Sequence, residues 1–572
     1  MRIVGINSNY NASMDKIYSG GCALIEDGKI VMALAEDRIS RSKHEGGFKQ
    51  SLKHILKETK LNIEDIDYFY ISFYANPMIP TKKMIEFHLK ELGILDNPEK
   101  LVVVQSHHMS HAYAAYFLSP FEEAIIMVAD NEGSLLYPKD AEEKNIINNY
   151  CERNSYFWAR GNCISFMERD FEEPGTVAFG KAYNKFNEYV GFGSYLNAGK
   201  TMGLSSYGHI TEEMKNLDLW GMDEHGKMYS NIRETYDSYR DIKNFFKENN
   251  IDVIDTREEK CYERQEYKDL ALYIQEQLNK WSMAKTKVLM DKTGFKNVCL
   301  SGGVALNGIV NREIEEKLKA KVFVPPYPSD PGQALGNAIY GYIQQSGLGN
   351  NSYIDKFKFN SFTYIGTEYS QEDIEDAINE YRSDDRVTIE YPKDICKTAA
   401  KLLSEGKVIG WFNGRSEYGA RALGNRSIIA DPRSSEIRDR VNTLKGRELF
   451  RPLAPSVMNE YVGEYFEGKE SILDKYMLKV SIAKKEKKDQ IEGVVHVDGT
   501  SRVQSVKKED NSKYYNLINE FYKITGIPMI IDTSFNAAGE PIVESPKDSI
   551  ISFLNMNLDA LVCGDILLIR NK

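Results

Sequence analysis

The sequence has few cysteines and lacks paired cysteine motifs. Its seven cysteines are odd in number, widely spaced and never arranged as CxxC, which argues against both a disulfide framework and a cysteine-based zinc finger. No apolar run approaches the roughly 18 to 20 residues that span a bilayer. The N-terminus enters a strand-like run at once instead of a signal peptide. We therefore predict a cytoplasmic protein with reduced cysteines and no membrane-spanning segment.

An excess of basic charge is also absent. The 572 residues include 73 Lys and Arg against 84 Asp and Glu, for a net charge of −11. An acidic balance disfavours nonspecific binding to nucleic acid or to an anionic membrane. Because a chain of this length with 42% hydrophobic residues can bury more than one core, we expect two large domains.

Two histidines one helical turn apart are the most informative feature that is present. Ser106 is suited to cap a helix that carries His107 and His111 on one face, where both imidazoles can bind one ion. A predicted strand follows and ends at Asp130, and Asp330 lies in a later strand-end loop. Two His and two Asp suit catalytic zinc or iron. The alternative is a helix whose histidines only hydrogen-bond within the core.

Strand pairs followed by helices occur in two regions of the N-terminal half. The first begins at residues 3–7 and includes a turn at 26–29, where Asp-Gly favours a hairpin. The second begins at residues 298–300, after which Gly302 and Gly303 let backbone amides approach an anion at a helix N-terminus. The pattern resembles the actin-like ATPase fold, in which two α/β lobes clasp a nucleotide. An ordinary strand-to-helix turn is the alternative for the two glycines.

Two further segments are rich in small residues. Residues 191–204 predict a glycine-rich loop in which Lys200 faces a phosphate, although the spacing does not match a P-loop and a plain loop is the alternative. Residues 346–362 are rich in Gly, Asn and Ser, and they predict a domain boundary near residue 355.

Arginine is concentrated in the C-terminal half, between residues 426 and 451. Arginine forks suit bidentate recognition of phosphate or carboxylate, whereas a solvated helix face is the alternative for residues 438–440. The candidates that lie near Pro, Gly or Ser in predicted loops are Arg421, Lys445, Arg451 and Arg502. A last predicted strand, 527–532, precedes Ser534 and Asn536, whose polar groups can complete a phosphate cradle.

Taken in order, these segments resemble the carbamoyltransferase family that includes the tobramycin and nodulation-factor O-carbamoyltransferases. The motifs that carry the resemblance are HHMSH with VADNEG, GKTMGLSSYG, CLSGGVALN, SDPGQALGNA, GRSEYGARALGNRSIIADPR, LKGRELFRPLAPSV, VDGTSRVQ and TSFNAAGEP. The resemblance covers nearly the whole chain. It implies an α/β protein with an actin-like two-lobe carbamoyl-transfer domain at residues 1–355, followed by a YrdC-like domain at 356–572 that forms carbamoyl adenylate.

The resemblance also implies an activity and its residues. The protein would be an O-carbamoyltransferase that uses ATP and Mg²⁺ to convert carbamoyl phosphate to carbamoyl adenylate and then carbamoylates a hydroxyl of a small molecule such as an antibiotic or sugar. Carbamoyl phosphate and ATP would bind Arg421, Lys445, Arg451, Arg502, Ser534 and Asn536, with Lys445 and Arg451 catalytic. The adenylate would bind Asn197, Lys200, Gly302, Gly303 and Asn307. Fe²⁺ or Zn²⁺, held by His107, His111, Asp130 and Asp330, would polarise the carbamoyl oxygen.

The general base departs from the family pattern. Family members usually carry a His-Asp motif in the first strand-turn, a place that falls here at Asn11 or at Tyr18, depending on how an insertion is aligned. Asn is a poor proton acceptor at neutral pH, and an unperturbed Tyr, with a pKa of about 10, is mostly protonated. Three hypotheses follow: His108 is the base, the metal lowers the pKa of the acceptor, or the acceptor is an amine.

Other functions stay open at this point. The hydrogenase-maturation carbamoyltransferase shares both domain types but carries zinc-finger cysteine pairs, which this chain lacks. A threonylcarbamoyl route to tRNA would need a basic RNA surface, and we expect no nucleic-acid partner. The non-enzymatic alternative is an actin-like nucleotide-binding regulator without transfer activity. Carbamoylation of a macromolecule and formation of a homodimer are further hypotheses.

Overall fold

The chain forms two compact units. The computed structural model describes residues 1–10, 14–73, 82–136, 150–171, 177–232, 237–253, 260–350, 357, 359 and 362–571. The first unit comprises residues 1–36 and 45–360, and the second comprises residues 37–44 and 361–572. The first unit differs from the predicted domain 1–355 at residues 37–44, which pack with the second unit. The boundary predicted near 355 lies outside the described residues.

The first lobe of the first unit is a five-stranded sheet. Its strands are β1 (Arg2–Asn7), β2 (Gly21–Glu26), β3 (Lys29–Ala35), β4 (Tyr68–Ser72) and β5 (Leu101–Val103), in the order β3-β2-β1-β4-β5. Strand β2 is antiparallel to both neighbours, whereas β1, β4 and β5 are parallel. The predicted hairpin is confirmed, because Asp27 and Gly28 form the turn between β2 and β3 with φ of 46° and 79°.

The second lobe has a larger sheet. Its strands are β6 (Glu123–Ala129), β7 (Leu135–Leu136), β8 (Tyr150–Arg160), β9 (Cys163–Phe171), β12 (Asn297–Ser301) and β13 (Lys321–Phe323), with the separate hairpin β10 (Trp220–Met222) and β11 (Met228–Ser230) between them in sequence. The order is β13-β12-β6-β8-β7, and β9 also pairs with β8. Strand β6 is an unbroken apolar run that is buried from Ala124 to Ala129, as expected of a central strand covered on both faces.

The two lobes share one topology. Read as β9-β8-β6-β12-β13, the second sheet repeats the order β3-β2-β1-β4-β5 of the first sheet. Strand β8 is antiparallel to β6, as β2 is to β1, whereas β12 and β13 are parallel to β6, as β4 and β5 are to β1. This duplication is the actin-like arrangement that the sequence pattern predicts. The carboxyl ends of the parallel strands β6 and β12 point the same way, and such ends are where α/β sheets gather their ligand-binding residues.

The second unit is an α/β domain around one eight-stranded mixed sheet. Its strands are β14 (Val387–Glu390), β15 (Ile409–Phe412), β16 (Arg426–Ala430), β17 (Ala454–Met458), β20 (Gln504–Val506), β21 (Met529–Ser534), β22 (Ala560–Cys563) and β23 (Ile566–Arg570). A separate two-stranded antiparallel sheet pairs β18 (Ser481–Ile482) with β19 (Thr500–Ser501). The order in the large sheet is β14-β23-β22-β15-β16-β21-β17-β20. Strand β21 extends beyond the predicted end at Asp532 and includes Ser534.

Helices cover both units. Those of the first unit are Lys49–Thr59, Lys82–Leu92, His107–Phe117, Phe179–Tyr189, Ala198–Ser205, Glu212–Lys215, Ser238–Glu248, Gln265–Thr293, Gly308–Lys317 and Gln333–Gln345. Those of the second are Gln371–Asn379, Ile395–Ser404, Ser435–Leu444, Val462–Tyr465, Ser512–Thr525 and Pro546–Asn555, and Glu36–Ser40 leads into it from the first. Among the described residues, no helix combines the length and apolar character that crossing a bilayer requires.

Candidate active site

The helix His107–Phe117 begins where the sequence predicts. The Ser106 hydroxyl accepts a hydrogen bond from the Met109 backbone N–H at 3.2 Å, which caps the helix. The His107 and His111 rings lie on one face with their centroids 5.1 Å apart, and both are buried. The helix Gln333–Gln345 packs against this helix so closely that a Cβ on Gly336 would lie 2.1 Å from the Ser110 carbonyl oxygen.

Four side chains converge at the end of β6. His107, His111, Asp130 and Asp330 place one ligand atom each within 4.8 Å of one another. His107 Nε2 lies 3.2 Å from Asp330 Oδ1, and His111 Nε2 lies 3.3 Å from Asp130 Oδ2. Ligands bound about 2.0 to 2.2 Å from one ion have separations of this size. The structure therefore brings together the four predicted metal ligands, although Asp330 is far from the others in sequence.

The chemistry of the four residues fits a divalent ion. The buried His111 Nε2 lies 3.3 Å from Asp130 Oδ2 and 3.6 Å from Asp330 Oδ1. When this nitrogen carries no proton, its lone pair faces two carboxylates, an arrangement that is costly unless a cation lies between them. Burial alone would lower the pKa of His111, but the carboxylates of Asp130 and Asp330 raise it to about 9. Burial alone would raise the pKa of Asp330, but His107 and His111 lower it. A cation at this point would replace the proton that the cluster otherwise holds.

Glu152, on strand β8, supports the start of the helix His107–Phe117, which carries two of the candidate metal ligands. Its carboxylate is fully buried and accepts hydrogen bonds from the Ser106 hydroxyl at 2.6 Å and from the Ser134 backbone N–H at 2.9 Å, and it pairs with Arg169 at 3.0 Å. The Ser134 hydroxyl in turn accepts from the His107 backbone N–H at 2.9 Å. Glu152 thus joins the start of the histidine helix to the turn that follows Asp130.

We expect Glu152→Gln to weaken metal binding while the protein stays folded. The amide of the new glutamine cannot accept hydrogen bonds from both Ser106 and Ser134 and also pair with Arg169. The start of the histidine helix and the turn after Asp130 therefore lose the side chain that connects them. Loss of such an outer partner costs about 10- to 100-fold in metal affinity. The measurement is a Zn²⁺ titration at constant pH. Glu123→Gln is the matched control, because Glu123 begins the same strand as Asp130 but forms an exposed pair with Arg160. Equal affinities in all three proteins would contradict this role.

The candidates for the general base differ in their surroundings. His108 is fully buried, and its Nδ1 lies 2.7 Å from the Ser155 hydroxyl, which also accepts from Arg169. Burial, followed by the charges of His107 and His111, lowers the pKa of His108 well below its ordinary value, which makes it a weak base. Tyr18 is half exposed. Asn11 lies outside the described residues.

The predicted adenylate residues lie on the second lobe. Gly302 has a φ of 85°, and a Cβ there would lie 2.2 Å from the Ala129 carbonyl oxygen, so only glycine fits this turn. A Cβ on Gly303 would lie 3.2 Å from Asp130 Oδ1, which places this glycine next to the four candidate metal ligands. Asn307 caps the helix Gly308–Lys317.

The segment that carries Asn197 and Lys200 forms a helix. The prediction of a loop at residues 191–204 is wrong for residues 198–204, because Ala198–Ser205 is helical and Asn197 is its N-cap residue. The Asn197 amide donates to the Phe192 carbonyl at 2.9 Å, and Lys200 Nζ lies 5.6 Å from the Phe192 ring centroid. This helix packs against Gln265–Thr293, which also packs against the helix capped by Asn307.

The second unit brings together the predicted phosphate-binding residues. Lys445 Nζ donates to the Ser534 carbonyl, to the Asn536 carbonyl at 2.8 Å and to Asn536 Oδ1 at 3.2 Å. Burial, followed by the charges of Arg447 and Arg451, lowers the pKa of Lys445 well below its ordinary value. An anion bound here would stabilise the charged form of the lysine.

Arg421, Arg447, Arg451 and Arg502 form a cluster of like charges next to Lys445. Burial lowers the pKa of Arg502, and the charges of Arg421, Arg447 and Arg451 lower it further. Arg421 has a pKa lowered to about 10 by burial and by Arg451. The Nε atoms of Arg421 and Arg502 are buried without a hydrogen-bond partner among the described residues. Arg447 donates to Asn442 Oδ1 at 2.6 Å, and Arg451 pairs with Glu448 at 3.7 Å. A concentration of buried cations with two unsatisfied Nε atoms is expected where an anion binds.

Several arginines of the basic segment have other roles. Arg426 is fully buried and donates to the backbone carbonyls of Asn413, Gly414 and Thr367, so it holds loops together. Three more form ion pairs: Arg433 with the buried Asp431, Arg438 with Asp439 and Arg440 with Asp559. The anion-binding density predicted for 426–451 therefore narrows to Lys445, Arg447 and Arg451. Arg447 belongs to the predicted basic segment but not to the four loop candidates, and the structure places it beside Lys445 and Arg451.

Asp532 is a buried acid on the same strand as Ser534. Its Oδ2 accepts hydrogen bonds from Tyr514 at 2.8 Å and from Ser456 at 3.0 Å, while its Oδ1 is buried without a hydrogen-bond partner among the described residues. Burial raises the pKa of Asp532 to about 7. Side chains two apart on a strand share a face, so Asp532 lies on the Ser534 side of the sheet.

This raised pKa predicts a pH-dependent difference in stability. The folded protein keeps the Asp532 proton up to about pH 7, whereas the unfolded chain releases it near pH 4, so the folding stability contributed by this group falls as pH rises between these values. Relative to Asp532→Asn, we expect the wild type to lose about 2 to 3 kcal/mol between pH 5 and pH 8. Urea unfolding of both proteins at the two pH values measures it. A constant difference would contradict the raised pKa.

Comparison with known proteins shows the family to which the sequence is similar. Residues 78–339 match the family model "Carbamoyltransferase N-terminus", and residues 400–570 match "Carbamoyltransferase C-terminus". Nodulation protein NolNO of Sinorhizobium fredii is 30% identical over 598 residues, which cover 99% of this chain and 81% of the relative. Nodulation protein NolO of Bradyrhizobium diazoefficiens is 31% identical over 468 residues, which cover 81% of this chain and 78% of the relative. The structure of T. kodakarensis HypF aligns over 61% of this chain and 48% of its own at 14% identity, with a TM-score of 0.36, which is too low to support an inference.

Proposed function

The chain belongs to the carbamoyltransferase family, and from this premise we propose that it is an ATP-dependent O-carbamoyltransferase. The second unit converts carbamoyl phosphate, ATP and one water to carbamoyl adenylate, phosphate and pyrophosphate. The first unit transfers the carbamoyl group to a hydroxyl of a small molecule and releases AMP. The observation that carries the first step is the cluster of Arg421, Arg447, Arg451 and Arg502 around Lys445, in which two guanidinium Nε atoms are buried without partners.

The charge of the reactants explains why this cluster is needed. Carbamoyl phosphate and ATP are both polyanions, and they repel each other strongly at reacting distance. Fixed cations in a partly dehydrated site offset this repulsion, and they also stabilise the charge that develops as pyrophosphate leaves. Lys445 donates to the Ser534 and Asn536 carbonyls, which fixes the place of its positive charge beside the arginines. Mg²⁺ bound to the ATP phosphates would neutralise further charge.

The histidine and aspartate cluster supports the transfer step. Fe²⁺ or Zn²⁺ bound by His107, His111, Asp130 and Asp330 would supply a Lewis acid for the carbamoyl oxygen. Glu152 keeps the histidine helix and the Asp130 turn in register. The Gly302–Gly303 turn packs against the Ala129 carbonyl and lies next to Asp130 Oδ1, so an adenylate bound at this turn would lie beside the four candidate ligands. His108, buried with its Nδ1 2.7 Å from the Ser155 hydroxyl, would orient groups beside the ligands, and a bound ion would supply the chemistry that makes an acceptor hydroxyl more acidic.

Product analysis of the wild-type protein tests this function. The protein is incubated with ATP, Mg²⁺ and carbamoyl phosphate, and pyrophosphate and AMP are quantified. We expect pyrophosphate only when all three are present, and none when carbamoyl phosphate is replaced by inorganic phosphate. Pyrophosphate at the same rate without carbamoyl phosphate would contradict the adenylate step. No turnover of ATP under any condition would favour a nucleotide-binding regulator.

A further inference from the structure

Residues 37–44 are far from the rest of the second unit in sequence but pack within it. The chain leaves the first unit after Glu36, whose buried carboxylate accepts hydrogen bonds from the backbone N–H groups of Gln50 and Ser51, both at 2.9 Å. It returns at Glu45, which forms an isolated bridge with Tyr18. The residues that flank the segment on both sides are thus held within the first unit.

Arg38 is the centre of this segment. It is 6% exposed and forms an ion pair with Glu544 at 3.4 Å, in which both side chains are buried. It also donates to the Glu417 carbonyl at 3.4 Å and to the Val543 carbonyl at 3.5 Å. A buried ion pair with further hydrogen bonds is costly to break from one side. Arg38 therefore joins two loops of the second unit, one at residue 417 and one at residues 543–544.

Both loops lead to the anion-binding residues. Glu417 Oε1 accepts hydrogen bonds from the backbone N–H groups of Leu423, Asn425 and Arg426, which closes the loop that carries Arg421. In the other loop, the Val543 backbone N–H donates to the Phe535 carbonyl at 3.0 Å, and Phe535 lies between Ser534 and Asn536.

The rest of the segment reinforces these contacts. Arg41 donates to the Ile542 carbonyl at 2.6 Å and to the Pro541 carbonyl at 3.1 Å, and it pairs with Asp548 at 3.4 Å. Lys43 is among the cations whose charge lowers the pKa of Lys445, so the segment also adds positive potential to the site.

We propose that residues 37–44 are a working part of the carbamoyl phosphate and ATP site, and that Arg38 is a positioning residue which sets the loop of Arg421 relative to Ser534 and Asn536. The inference rests on the proposed function of the second unit. It predicts that a residue near the start of the chain controls anion affinity in the C-terminal half, while metal binding by the histidine cluster is independent of it.

The test compares full-length wild type, Arg38→Met and Arg440→Ala. Met keeps the length of the side chain but removes the charge and all three interactions. Arg440→Ala is the matched control, since Arg440 also pairs with an acid and a backbone carbonyl, Asp559 and Gly406, but at the surface. Calorimetric titration with inorganic pyrophosphate measures anion affinity without turnover, and the pyrophosphate-release assay gives KM for carbamoyl phosphate and kcat.

We expect Arg38→Met to weaken pyrophosphate binding at least about tenfold and to raise KM for carbamoyl phosphate more than it lowers kcat, because the loops are misplaced but the cations remain. Arg440→Ala should match the wild type, and Zn²⁺ binding should be equal in all three. A folded Arg38→Met protein with wild-type affinity and KM would overturn the inference, as would a wild type that does not bind pyrophosphate.

A second variant covers the case in which Arg38→Met does not fold. Glu544→Gln keeps the size of the partner and its hydrogen bond from Ser416 while it removes the charge that Arg38 meets. The same loss of pyrophosphate affinity is expected in Glu544→Gln, and unchanged affinity there would contradict the role of the pair. If the wild type binds pyrophosphate but does not turn over, the proposed function fails while the binding comparison still decides the role of Arg38.

Discussion

Replacing Arg502 with alanine should abolish carbamoyl phosphate-dependent release of pyrophosphate. Arg502 lies among Arg421, Arg447 and Arg451, and its Nε is buried without a hydrogen-bond partner among the described residues. Removing one donor that faces developing negative charge typically costs about 10²- to 10³-fold in rate. We expect a loss at the upper end of this range, because Arg502 also helps to overcome repulsion between the two anionic substrates.

The Arg502→Ala variant should remain folded and should bind metal normally. Truncation relieves repulsion among the arginines, so the thermal midpoint should not fall. Zn²⁺ binding should equal that of the wild type, since the four candidate ligands belong to the first unit. Arg440→Ala is again the surface control and should release pyrophosphate normally. Pyrophosphate release in Arg502→Ala at the wild-type rate would remove the arginine cluster from the mechanism.

Replacing His107 with alanine should weaken metal binding but leave pyrophosphate release intact, the opposite of the result expected for Arg502→Ala. His107 Nε2 lies 3.2 Å from Asp330 Oδ1 within the four-residue cluster, so its loss removes one of four ligands. We expect metal affinity to fall by more than about 100-fold, the upper end of the effect of losing only an outer partner of a ligand. Release of pyrophosphate should persist, because the residues proposed for that step all belong to the second unit.

The matched control for this variant is His209→Ala. His209 also belongs to the first unit, but its side chain is 83% exposed. Metal content after dialysis and a Zn²⁺ titration should distinguish the two variants, with His209→Ala equal to the wild type. If His107→Ala retained a stoichiometric, tightly bound ion, the four residues would not be the metal ligands. If it lost pyrophosphate release together with the metal, the two steps would not be separable.

The metal cluster shows how far the sequence could predict a site. The i, i+4 spacing of His107 and His111 and the placement of Asp130 after an apolar strand both follow from local geometry, because helix period and strand ends are local properties. Asp330 was predicted from its strand-end loop, and the structure places its carboxylate 3.2 Å from His107 Nε2. The duplicated lobe topology brings these two segments together.

Other features could not be predicted from local pattern. Glu152 lies in β8, in a segment without a helix period or turn signal, and its role depends on which residues meet it in the folded state. Arg426 was grouped with the anion-binding arginines by composition, but it is buried among backbone carbonyls. No change in amino-acid composition marks either end of residues 37–44. Their place in the second unit shows only in the folded structure, through contacts with Glu544 and Glu417, which are far away in sequence.

Direct detection of the carbamoyl adenylate in a single turnover tests the central claim most directly. Enzyme in excess is mixed with ATP, Mg²⁺ and carbamoyl phosphate labelled at its carbon, quenched within milliseconds and analysed by mass spectrometry. The two-site mechanism predicts a labelled adenylate that appears with pyrophosphate in the wild type and in His107→Ala but not in Arg502→Ala. Pyrophosphate release in the wild type without labelled adenylate at any time would contradict the mechanism.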